Sequence, residues 1–171
     1  HHQTCMAKFK DSPEVEYGRM IEHIKFNENR GPICNISTSE KYIQWLENKV
    51  STASLFNLGL IYEETLDDPQ EAIKYYKLLL EHKKDSAVMT RLGLIYLNAG
   101  KTENNFKEAF KYFKLGIKHK EYVNLYNLSV LYDMYNNNDL AKEYFGLYLM
   151  SKIIHSLEEK DLFYKLHLTN L

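Results

Sequence analysis

The sequence has no apolar run near the ~18 residues that a spanning helix needs, so a transmembrane segment is excluded. Cysteine is scarce. Cys5 and Cys34 are too few for a disulfide framework and are expected as free thiols of a reducing compartment, cytoplasmic or other; one bridge between them is the alternative. Charge of one sign is lacking as well: 22 Lys+Arg against 23 Asp+Glu give a formal net charge of -1. No overall field therefore draws the chain to nucleic acid or to an acidic membrane. Three prolines, seven glycines and the absence of sustained alternation argue against strands and for an all-helical fold. The signatures of chemistry are missing too. There is no phosphate loop, nucleophile elbow or dinucleotide fingerprint, and none of the seven histidines stands at a metal-ligand spacing from another His, Cys or carboxylate. No cofactor, metal or enzymatic activity is expected. The chain opens HHQTC, without methionine, so residues 1–11 read as a disordered or tag-derived start.

What is present is helix punctuation. Ser12 before Pro13, the box Ser37 to Glu40, Asp68 with Pro69 and Glu71, and Asn105 with Glu108 read as helix starts. Asp85-Ser86 and NNND at 136–139 mark two more. The amphipathic runs between them predict helices near 13–28, 38–50, 52–65, 69–82, 86–98, 105–118, 122–135, 138–150 and 154–168. Short connections make neighbours antiparallel; residues 29–37 form one longer loop.

The helices repeat. NLGLIY starts at 57, RLGLIY at 91 and NLSVLY at 127, steps of 34 and 36. A second signal travels with the first: Ala72, Ala109 and Ala141 each precede Tyr75, Tyr112 and Tyr144 by three residues, and Tyr76, Phe113 and Phe145 follow directly. Gly59, Gly93 and Ser129 supply the small surface that lets two helices approach, the alanines the matching one. Tyr62, Tyr96 and Tyr132, one turn on, fill the space where the helices diverge. A single hairpin of this kind cannot bury its apolar face, and stacked copies can, which explains the period.

These residues resemble the Sel-one-like repeat, a branch of the tetratricopeptide superfamily, most fully in 54–81. A degenerate copy precedes them, with Tyr17-Gly18 for Leu-Gly and YIQW at 42–45 for the alanine motif. The resemblance implies a right-handed α-solenoid of about four helix-turn-helix repeats, near 12–51, 52–85, 86–121 and 122–151, the first degenerate. Residues 152–171 then form a C-terminal capping helix that turns Ile154, Leu157, Leu162 and Leu166 inward over 138–150.

In solenoids of this family the first helix of each hairpin lines the concave surface. A wheel of about 100° per residue places on that side, away from Leu58, the stripe Ala53, Asn57, Leu60 and Glu64. Its equivalents are Ala87, Arg91, Leu94 and Asn98, then Val123, Asn127, Val130 and Met134. One hydrogen-bonding residue per repeat beside an apolar one suits an extended peptide; alternatively the asparagines bond to the next hairpin. The resemblance thus implies a non-enzymatic scaffold or adaptor for a protein or peptide partner. Two rivals stay open: an RNA-binding helical repeat, which the net charge disfavours, and a structural subunit docking through its ends. A homo-oligomer is also open.

Overall fold

The structure is a computed structural model that describes Ile43 and residues 51–171. The expected caps at Ser12 and Ser37, the first two helices, the loop 29–37, the degenerate repeat, Cys5 and Cys34 lie outside the described residues. Within them only Ile43 is placed, helical and buried. Among the described residues there are helices and no strand: an all-α helical-repeat fold. The chain divides into two compact units, His1–Lys83 and Lys84–Leu171.

In the first unit α1 (Thr52–Leu60) starts at Ser51, which accepts a hydrogen bond from the Ser54 amide. The expected continuous helix to residue 65 instead widens into a π-helical segment, Ile61–Thr65, where the Leu66 amide reaches back to the Ile61 carbonyl at 2.9 Å. A left-handed residue, Asp67 (φ 48°), turns the chain into α2 (Pro69–His82). Its cap is the expected one: Asp68 accepts from the Glu71 amide at 3.2 Å, with Pro69 in the first turn.

The second unit contains two such hairpins and a last helix. Its elements are α3 (Ser86–Asn98), α4 (Glu103–Lys118), α5 (Val123–Met134), α6 (Asn138–Ser151) and α7 (Leu157–His167). Asp85 and Asn137 cap α3 and α6 as expected. The start of α4 is corrected: Thr102, not Asn105, is the cap. Thr102 accepts from the Asn105 amide at 3.1 Å, while the Asn105 side chain donates to the Gly100 carbonyl. Gly100 (φ 119°) and Asn136 (φ 62°) occupy in these hairpin turns the place that Asp67 holds in the first.

The three hairpins among the described residues close with the same contact. Tyr62 stacks on Tyr75 (centroids 5.6 Å apart), Tyr96 on Tyr112 (6.1 Å) and Tyr132 on Tyr144 (5.4 Å), each within 10° of parallel. Gly59 and Gly93 face the second aromatic of the returning helix. A Cβ on Gly59 would stand 2.5 Å from Cδ1 of buried Tyr76, and one on Gly93 2.5 Å from Cδ1 of buried Phe113. The third copy departs in both members. Ser129 already carries a Cβ, and Phe145 is 42% exposed, resting on Tyr126 and Tyr148 at the edge of the hairpin.

The last helix is corrected in start and face. Ser156 and Glu159 form a capping box; the amides of His155 and Ser156 donate to the Glu159 carboxylate and hold its pKa below the usual value. Leu157, Leu162 and Leu166 point outward, 81%, 58% and 66% exposed, whereas Phe163 and Leu168 are buried. The helix meets the α4–α5 turn as well as α6. Phe163 meets Tyr122 edge-on at 5.3 Å, the Tyr122 hydroxyl donates to the Lys160 carbonyl at 2.8 Å, and Lys120 pairs with Asp161 at 3.3 Å.

Burial pushes the hydroxyls of Tyr122 and Tyr144 up from 10.0 to about 12, helped by the negative charge of Asp161 for Tyr122 and by Tyr132 and Glu143 for Tyr144. The folded state therefore holds these protons where the unfolded chain releases them. Their stabilisation is complete below pH 10 and is lost as pH rises toward 12. Urea melts across that range are expected to show this fall, and Tyr122→Phe to flatten it; a stability independent of pH there overturns the assignment.

Candidate interaction face

The stripe expected along the first helices is partly interior. Asn57 (4% exposed), Leu60 and Asn127 (7%) are buried. Glu64, Asn98 and Met134 are exposed; Arg91, Leu94 and Val130 are half-buried. Of the flanking positions, Ala87 and Val123 are exposed and Ala53 is half-buried. A helix held on one side by its hairpin partner and on another by a neighbouring helix has a wider buried arc than a two-helix wheel assigns.

In the second unit that arc is visible as a polar seam. The Thr90 hydroxyl donates to the Ser86 carbonyl at 3.1 Å and accepts from the Asn124 side chain at 3.0 Å. Asn124 in turn accepts from the Asn127 amide group at 3.2 Å. Asn127 thus bonds within its own helix, to the residue that makes the α3–α5 hydrogen bond, and not to a neighbouring hairpin. Gly116 belongs to the same seam, since a Cβ there would fall onto the Asn124 side chain, 3.1 Å from Cγ. Asn124 was invisible to the repeat pattern because it sits outside the repeated six residues; its signal is an asparagine 34 residues after Thr90, one period on.

The Thr90–Asn124 hydrogen bond sets α3 beside α5. On a wheel of about 100° per residue, Arg91, Leu94 and Asn98 on α3 and Val123, Val130 and Met134 on α5 fall to the same side of it. Tyr126, which the stripe did not include, is exposed next to them and touches Phe145 and Tyr148. The face is apolar with a guanidinium and a carboxamide at one edge. Asn57, Leu60 and Glu64 belong to the other unit.

No group of three His, Cys, Asp or Glu residues able to hold a metal occurs among the described residues. No helix among them is long and apolar enough to cross a membrane.

A helix with a small residue at its crossing point, a tight left-handed turn and a second helix returning an aromatic pair define a helical-hairpin repeat. Residues 53–86 match the tetratricopeptide repeat family. That match covers α1, the π-helical segment, α2 and the first residue of α3. No curated protein and no solved structure matches the chain. Tetratricopeptide repeats generally mediate protein–protein interaction and typically act as non-enzymatic scaffolds.

Proposed function

We propose that the chain is a non-enzymatic scaffold that holds a peptide or protein segment on the α3–α5 face. The observation that carries this reading is the half-exposed stripe beside the polar seam: hydrophobic side chains interleaved with Arg91 and Asn98. An extended peptide needs both kinds of contact. Within the superfamily we assign the hairpins to the Sel-one-like branch, on the Asn-Leu-Gly-x-x-Tyr run at 57–62 and its later copies.

The test compares affinity with stability. A partner recovered from native extract and identified by mass spectrometry is titrated against variants. Arg91→Ala is expected to weaken binding by about 1.5–3 kcal/mol, the worth of a hydrogen bond to a charged group. Asn127→Ala is expected to lower the melting temperature and leave the affinity intact, since its side chain bonds to Asn124 within the fold. If Arg91→Ala leaves the affinity intact, the face loses its main polar contact and the reading fails.

One observation favours a second reading, a subunit that docks through its last helices. Phe145, Leu149, Ile153, Leu157, Leu162 and Leu166 are exposed apolar side chains within α6, α7 and their connection. Leu162→Glu with Leu166→Glu would then abolish assembly while Arg91→Ala did nothing.

A further inference from the structure

A second surface, separate from the α3–α5 face, lies on the outer side of α4. Residues 107–120 contain five lysines against one glutamate. At about 100° per residue, Lys107, Lys111, Lys114 and Lys118 fall within about 60° of one another, opposite buried Phe113. Lys107 pairs with Glu103 at 3.1 Å. Among the described residues no carboxylate lies within ion-pair distance of Lys111, Lys114 or Lys118. These three line a cleft of about 420 Å³ between α4 and the end of α7, whose walls include Phe110, Leu115 and Leu168.

We propose that this cleft binds an acidic amphipathic segment of another protein, its leucine or phenylalanine side chains in the cleft and its carboxylates on the three lysines. The size lies within the usual range of about 300–1,000 Å³ for ligand clefts. Charge complementarity selects the sign: the lysines repel one another along one helix face, and carboxylates relieve that repulsion. The chain already uses the same chemistry beside the cleft, where α7 is held by Asp161 on Lys120 and by Tyr164 under the same ammonium, 4.0 Å from the ring centroid. A single-stranded nucleic acid fits less well. It needs open aromatic faces for its bases, and much of this wall is aliphatic.

The test uses the full chain and a fluorescent helical peptide with leucine and phenylalanine on one face and glutamates beside them. The glutamate peptide is expected to bind, more weakly at high salt. Its glutamine analogue should bind about tenfold more weakly or worse. The combined variant Lys111→Glu, Lys114→Glu, Lys118→Glu should lose about thirtyfold, while Lys→Arg at the same three positions retains binding. Circular dichroism confirms that these solvent-facing changes leave the fold intact. Arg91→Ala leaves this binding unchanged, so it fails or succeeds independently of the α3–α5 face. The proposal is overturned if the glutamine peptide binds equally well or if charge reversal leaves the affinity unchanged. It is also overturned if polyuridine binds through these lysines and the peptide does not, or if sedimentation shows that they hold two copies of the chain together.

Discussion

Gly93→Leu is expected to lower the melting temperature by about 6–12 °C. The cause is geometric. The first atom of any side chain at this position stands 2.5 Å from Cδ1 of Phe113, a ring with no exposed surface. That ring lies in the packed core of the second unit, among Ala109, Leu128 and Leu131, and cannot retreat without opening it. Overpacking costs typically about 1–3 kcal/mol; a branched side chain against an immobile ring belongs at the top of that range. For a chain of this length about 3 kcal/mol corresponds to the shift given. Phe113→Ala should return part of the loss when combined with Gly93→Leu, because the space opens where the leucine needs it, a coupling that a double-mutant cycle reads directly. Gly146 is the control. It sits inside α6 with nothing within 4 Å of a Cβ, so Gly146→Ala is expected to stabilise by about 0.5–1 kcal/mol through helix propensity. Equal melting temperatures for wild type and Gly93→Leu would show that the ring does not occupy that seat.

The second large effect is at Phe163. Its ring is 7% exposed and anchors α7 on Tyr122, while the leucines of the same helix face outward. Phe163→Ala removes the main apolar contact of the helix. Such a truncation costs about 3–5 kcal/mol in a core. Here α7 can instead detach, which limits the loss to the free energy of docking that one helix. Amide exchange is therefore the measurement of choice: the α7 amides should lose protection by about two orders of magnitude or more, while those of α3 change little. Leu162→Ala, on the exposed side, should leave exchange as it is. If Phe163→Ala leaves α7 protected, the polar contacts of Lys120, Asp161 and Tyr122 hold the helix by themselves.

The two cases show what the sequence made legible and what it did not. The repeated Leu-small-x-x-Tyr and Ala-x-x-Tyr-aromatic runs placed the hairpins, because small-residue crossings and ring stacks are local consequences of a few side chains. The same pattern did not show that the rings of Tyr76 and Phe113 lie on the glycines, since spacing gives a face and not the reach of a ring from the next position. α7 was misread for a related reason. Four apolar residues at near-helical spacing suggested a buried stripe, but Ser156 and Glu159 set the start of the helix; Ile154 packs against the core as expected, whereas Leu157, Leu162 and Leu166 face outward and Phe163 and Leu168 are buried instead. The interaction face was half legible. Arg91, Leu94, Asn98, Val130 and Met134 retain exposed surface, whereas Asn127 was drawn inside because a wheel of one helix does not contain the neighbour that covers its flank; Asn57 is buried as well.

The tyrosine stacks and the tryptophan give the molecule two optical signals. The one tryptophan, Trp45, falls in the unit His1–Lys83, and the unit that follows is monitored by tyrosines alone. Indole emission excited at the red edge of its band thus follows the first unit by itself. The near-ultraviolet ellipticity of the stacks sums both units, through Tyr62–Tyr75 in the first and Tyr96–Tyr112 and Tyr132–Tyr144 in the second. Denaturation of the intact chain consequently yields two separate curves from one cuvette. Their coincidence or separation measures how strongly neighbouring repeats cooperate.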